Sequence, residues 1–290
     1  MTKKSNSKRG TIGIVLLFTI GFLILLYPWI SDTWNTRRQQ RLMVNVNNNV
    51  KEMSEKDRVE EFKKAYEYNR GLVGSEVPDV FAIRQKRSDP EYEKLLNPCN
   101  NGIMAAVDIP RIKVHLPIYH YTTEDVLTEG AGHICGSSLP VGGESTHCVI
   151  SAHRGLPSAK MFTDLDLIKK GDHFYVKVLN ETLAYKVDRI DVVEPDDTRS
   201  LSITKGKDQM SLVTCTPYGV NTKRLIVRGH RVPYDEKVYK DEGKHGPTKW
   251  SRVLSKTICV LLGLLIAYMV QKLIDHKSKR KIAENEKKRD

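Results

Sequence analysis

The apolar residues of this chain fall into stretches of three kinds. Between Gly10 and Ser31 no residue is charged, and Ile12 to Ile30 reads IGIVLLFTIGFLILLYPWI. As a helix rising about 1.5 Å per residue, this stretch is roughly as long as a hydrocarbon core is thick. Tyr27 and Trp29 stand at its outer end, where interfacial aromatics belong. A cleaved signal peptide is the competing reading, but the bulky Tyr27-Pro28-Trp29 occupies the place of a small-residue cleavage site. Residues 11–30 are therefore expected to form a transmembrane helix that stays with the chain. Near the other end, Thr257 to Gln271 is uncharged, and Lys256 and Lys272 can snorkel, so residues 253–274 become a second expected transmembrane helix. A buried core helix or a surface-lying one is the alternative there.

The second kind runs from Trp34 to about Asn69, where Val59, Phe62, Ala65 and Tyr66 recur at helical spacing among Lys, Glu, Arg and Asn, and Gly71 and Gly74 follow. This spacing predicts an amphipathic helix. Leu72 to Pro98 holds Pro78, Asp89-Pro90 and mixed charge, which predicts an extended loop and a short helix at EYEKLL. From Gly102 onward short alternating runs take over: AAVDIPRI, VHLPIYHY, HCVISAH, HFYVKV, LAYKVDRIDVV, MSLVTC and RLIVRGHR. Turn-bounded runs of this kind predict an antiparallel barrel or sandwich. Thr123 to Glu129 and Ser158 to Lys169 have the pattern of short helices. The chain carries no internal repeat and no Gly-rich phosphate loop.

Composition fits a folded domain: of 290 residues, 40% are hydrophobic and 28% charged. Lys plus Arg (47) less Asp plus Glu (35) leaves +12, which could suit nucleic acid, an acidic partner or a membrane surface. Location decides between them. Much of the excess lies in TKKSNSKR before the first apolar stretch and KSKRKIAENEKKRD after the second. Basic outer flanks on both stretches place both termini in the cytoplasm and residues 31–252 outside the cell membrane. The charge is then topology plus attraction to anionic lipid, and no nucleic-acid partner is expected.

Candidate chemistry centres on cysteine. Of five Cys, Cys259 falls in the second apolar stretch, leaving Cys99, Cys135, Cys148 and Cys215. Cys215 ends the apolar strand SLVTC and opens the polar turn TPYGVNTK, a position at which loops build sites. Arg224 begins the next strand, RLIVRGH, so a hairpin would set Cys215 and Arg224 face to face, with Arg228 about 13 Å further along. A guanidinium there would stabilise a thiolate and could hold the oxyanion formed when sulfur attacks a carbonyl. A Cys nucleophile also needs a group that gives a proton to the leaving amine and takes one from the acceptor. His153, which ends CVISAH, is the best candidate, since His115, His120, His133, His147, His173 and His230 lie within strands or polar turns. A zinc site built from His133, Cys135, His147, Cys148 and His153 is disfavoured, because alternate side chains on a strand point to opposite faces. Cys135 and Cys148 are read as free thiols or a disulfide; no metal or cofactor is expected.

SLVTC, with Arg224 nine residues on and SAHRG upstream, resembles the sortase transpeptidases, Ser211 standing where their signature has Thr. The longer strings CTPYGVNTKRLIVRGHRVPY, SAHRGLPSAKMFTDLDLIKKGD and GAGHICGSSLPVGG resemble the class C, pilin-polymerising sortases of Gram-positive bacteria, over about residues 70–235. The resemblance implies a mainly β fold: an eight-stranded sortase-type β-barrel with short helices, an N-terminal helical and lid extension, and two transmembrane helices. It implies His153, Cys215 and Arg224 as the catalytic trio. Cys215 would attack the Thr carbonyl of an LPXTG-like sorting signal, and the acyl group would pass to a Lys amine of a pilin subunit. It implies a lid as well, commonly Asp-Pro-aromatic. Asp79 and Phe81 fit its place but have Val80 between them, and Asp89 with Tyr92 is the alternative. The organisation expected is a cytoplasmic tail (1–10), a span (11–30), an extracellular helical segment and lid (31–98), the barrel (99–235), a juxtamembrane linker (236–252), a span (253–274) and a cytoplasmic tail (275–290). Two other readings stand beside this one: attachment of proteins to a peptidoglycan precursor, and a non-catalytic membrane-tethered binding module.

Overall fold

The computed structural model describes residues 5–72 and 89–245, with 260, 261, 263, 264, 267, 268 and 272 beyond them. One compact unit runs from Trp29 to Gly246; Met1–Pro28 and Pro247–Asp290 make up the other. Eight strands form the core of the first: β1 (Ile103–Ile109), β2 (Val114–His120), β3 (Ala131–His133), β4 (Thr146–Ser151), β5 (His173–Val178), β6 (Glu181–Val193), β7 (Asp208–Thr216) and β8 (Lys223–Val232). They close into a barrel in the order β1-β2-β3-β4-β7-β8-β6-β5, with β5 pairing back onto β1.

The barrel differs from the antiparallel expectation in two ladders, β2 with β3 and β4 with β7, which are parallel. Parallel neighbours need a crossover. The segment holding α4 (Glu124–Glu129) supplies the first, and β5 and β6 together supply the second. Alternation along each strand sorts its side chains. Ile150, Leu212, Leu225 and Val227 point into the barrel core. Val149, Val213 and Ile226 point outward, where Ile134 and Leu201 cover them as a small outer cluster.

Helix α1 runs from Ser5 to Glu52 and α2 from Glu55 to Gly71, so the single helix expected over 34–69 is two. Ser54 makes the break. Its hydroxyl accepts the Asp57 N–H at 3.1 Å and its backbone is extended, the geometry of an N-cap. The helix expected over Ser158–Lys169 is replaced by turns and a 3-10 turn at Leu165–Leu167. Main-chain donors there are taken from elsewhere: Lys160 N–H by Asp32 and Phe162 N–H by the His153 carbonyl. The expected linker 236–252 begins as helix α5 (Glu236–His245), docked by Tyr239 Oη on Asp108 at 2.8 Å and by Glu242 on His173 Nδ1 at 2.6 Å.

Among the described residues no helix is long and apolar enough to cross a membrane. The second expected span, 253–274, lies mostly outside the described residues, as do many side chains of the first.

Candidate active site

Strand β7 carries Cys215 at its end, and the β7–β8 register sets Arg224 directly opposite it. On the other side β4 runs parallel to β7 with Ser151 level with Val213. The ladder continues past the end of β4: Ala152 N–H donates to Val213 O at 3.2 Å, and Thr214 Oγ1 to Ala152 O at 2.8 Å. His153 therefore comes level with Cys215 at one strand spacing, roughly 5 Å between backbones. Cys215 and Arg224 continue the outward-facing rows of Val213 and Ile226, so the three residues cap the outer cluster. The sequence-predicted trio is thus brought together by three neighbouring strands, with the thiol in the middle.

Each member has its own support. The Arg224 side chain is buried, and its Nη1 donates to the carbonyls of Lys223 (2.9 Å) and Asn221 (3.2 Å). This ties the guanidinium to the turn between β7 and β8. His153 Nε2 lies 3.1 Å from Glu124 Oε1 at the start of α4. A carboxylate on one ring nitrogen orients the imidazole. Glu124 was not expected from sequence, where it is one acid among many in the first turn of a short helix.

Arg154 was missed as well. Its side chain is only 7% exposed, yet it carries a charge between the loops that follow His153 and Cys215. Its Nη1 donates to Thr216 Oγ1, next to Cys215, at 2.9 Å, and its Nη2 to Asp166 at 2.5 Å. The Tyr218 ring lies 6.0 Å from its guanidinium and stacks closely on Gly155. Gly155 has φ +77°, and a Cβ there would come 3.0 Å from the ring. The Arg directly after the His in SAHRG was the available signal.

The other histidines are occupied elsewhere. His133 is fully buried between Tyr92 Oη (2.7 Å) and Ser138 O (2.9 Å). His147 is held by Ser211 Oγ at 2.8 Å and Ser202 O at 3.0 Å. That contact gives the departure at Ser211 a structural role. Burial pushes both imidazoles down to about 4. His115 lies against Asp108 and His230 against Asp188, while His120 bonds main-chain carbonyls. Among the described residues no cluster could hold a metal ion. Cys99, Cys135, Cys148 and Cys215 are all free thiols, and burial raises Cys148 well above the usual thiol range and raises Cys135 too.

Asp79 and Phe81 lie outside the described residues. The alternative pair, Asp89 and Tyr92, has other contacts. Asp89 caps helix α3 (Pro90–Lys94) by accepting the Glu91 and Tyr92 N–H groups, and Tyr92 is wholly buried among His120, Tyr121 and His133. An aspartate ahead of Pro at a helix start prefers that role.

Residues 107–232, which hold the whole trio, match the sortase domain family. In structure the chain is similar to sortase C1 from Streptococcus agalactiae at 47% identity and TM-score 0.63, over 67% of this chain and 100% of that one. It is similar to sortase C-1 from Streptococcus pneumoniae at 44% identity and TM-score 0.63, over 67% and 100%. The chain belongs to the sortase family. Its solved neighbours place this sortase in class C. In sequence it is also 31% identical to sortase D of Bacillus subtilis over 129 residues, 43% of this chain and 62% of that protein, so the match falls short of that relative's full length. An enzyme of the sortase type replaces the reading of a non-catalytic binding module.

Proposed function

We propose that this sortase cleaves an LPXTG-like sorting signal between Thr and Gly and joins the Thr carbonyl to a Lys amine of a pilin subunit, polymerising pili. The observation that carries the reading is Cys215 at a strand end, with Arg224 opposite it on β8 and His153 level with it just past the end of β4. Sulfur of Cys215 attacks the Thr carbonyl, and Arg224 donates hydrogen bonds to the oxygen as it gains charge. The Thr–Gly C–N bond breaks as a thioester forms, and His153 gives its proton to the departing glycine amine. The Lys amine then attacks the thioester, the C–S bond breaks, and the proton lost by nitrogen returns to His153. Sulfur leaves as it entered.

Similarity to the sortase C of Streptococcus pneumoniae, whose structure bears on pilin substrate specificity, supports a pilin as the partner. The apolar stretches at 11–30 and 253–274 with their basic flanks support an enzyme held in the cell membrane, barrel outside and both termini in the cytoplasm. A lid drawn from Asp79 and Phe81 would keep water and wrong acceptors from the thiol until substrate arrives. Mass spectrometry of the enzyme with an LPXTG-type peptide and a Lys-bearing pilin fragment tests the reading. An isopeptide product that requires Cys215 is expected. Transfer to a peptidoglycan-precursor amine but not to Lys would overturn the pilin assignment.

A further inference from the structure

We propose that the outer half of α1 is a positioning element for the His153 imidazole, and that Asp32, Asn35 and Gln39 clamp the two segments that hold it. The inference rests on His153 as the proton carrier. Asp32, Asn35, Gln39, Met43, Val46 and Val50 follow one another at steps of three or four, a single stripe along one helix face. Its second half is buried and apolar, packed with Ile103 and Ala106. That half is sufficient to dock a helix.

The first half is polar, and every member bonds main chain. Asp32 Oδ1 accepts the Lys160 N–H at 2.8 Å, Asn35 Nδ2 donates to Ser158 O at 2.8 Å, and Gln39 Nε2 donates to Glu129 O at 2.8 Å. Arg38 adds an ion pair to the Glu129 carboxylate at 2.6 Å. These partners lie on either side of one imidazole. Ser158 and Lys160 belong to the loop that leaves His153 and returns to it, where Phe162 N–H donates to the His153 carbonyl at 3.0 Å. Glu129 ends α4, whose first residue, Glu124, holds His153 Nε2. Gln39 is 6% exposed, and a buried amide is costly unless its bonds are made, so this face is shaped to those two segments rather than to a generic core.

The charged and titratable groups around His153 are Glu124 from α4, Cys215 and Arg224 from β7 and β8, and Arg154 with Asp166 from its own loop. Only Glu124 is carried by a segment that α1 grips through its end. Releasing the grip withdraws the carboxylate from the ring and leaves the imidazole free to turn out of line with the thiol.

The test is the full chain carrying Asn35→Leu with Gln39→Leu, assayed for kcat and KM in the cleavage of an LPXTG-type peptide. The expected result is a kcat lower by about three- to tenfold with KM little changed. Met43→Ala, on the same stripe but packed away from the site, is expected to lower the melting temperature and leave kcat in place. Gln39→Lys restores a donor and should recover most of the loss. Should the double variant fail to fold, Gln39→Glu, which keeps the length and removes the donor, carries the same expectation. Wild-type kcat in a folded variant, or a loss of kcat that Met43→Ala reproduces, would overturn the clamp. Turnover surviving in His153→Ala would bring down the assignment of the imidazole, and the clamp with it.

Discussion

Lowering the pH from 7 to 5 is expected to take about 4 kcal/mol from the stability of the Trp29–Gly246 unit, through two buried imidazoles remote from the thiol. Burial holds His133 and His147 down to about 4, against about 6.5 for a free imidazole. Their folded values lie below the unfolded one, so between pH 6.5 and 4 the unfolded chain binds more protons and stability falls as pH falls. At pH 5 each imidazole accounts for about 2 kcal/mol of that loss. Asp208 and Glu242 oppose it, since burial raises their carboxyls and they take up protons more readily in the fold. With total stability usually about 5–15 kcal/mol, a loss of this size decides whether the enzyme survives mild acid. Urea denaturation at pH 7, 6 and 5, followed by circular dichroism, measures it for the wild type and for a variant with His133→Gln and His147→Asn. A level stability from pH 7 to 5, or an equal slope in the variant, would refute the reasoning.

Arg154→Leu removes the bond to Thr216 and the ion pair to half-exposed Asp166, and is expected to cost about 1–2 kcal/mol and lower peptide turnover by about tenfold. Thermal melts and steady-state kinetics read the two effects, and unchanged turnover would deny Arg154 any hold on the Cys215 loop. Gly132→Ala would set a Cβ 2.2 Å from the Tyr121 carbonyl oxygen where β3 meets β2, and is expected to destabilise the fold by more than about 3 kcal/mol. A wild-type melting temperature would contradict that packing.

Strand identity and the thiol–guanidinium pair were legible because both are local. SLVTC and RLIVRGH alternate, a short turn joins them, and a hairpin of that length leaves Cys215 and Arg224 opposite each other. The level of His153 was not legible. It depends on the parallel pairing of β4 with β7 across 62 positions, as from Ser151 to Val213, and alternation carries no strand direction. The break at Ser54 had its signal in Ser-x-x-Asp, yet the helical spacing on both sides concealed it. Ser158–Lys169 has helical spacing, but its amides are claimed by residues distant in the sequence. For the same reason Asp32, Asn35 and Gln39 look like a solvated face until α1 is set against the barrel.

The most direct test of the central claim is the intact mass of the enzyme after brief mixing with an LPXTG-type peptide and no acceptor amine, for wild type, Cys215→Ala, His153→Ala and Arg224→Ala. The account predicts an added acyl mass that proteolysis locates on Cys215, absent from Cys215→Ala and strongly reduced in the other two. Acylation of another residue, or full acylation without His153 and Arg224, would contradict it.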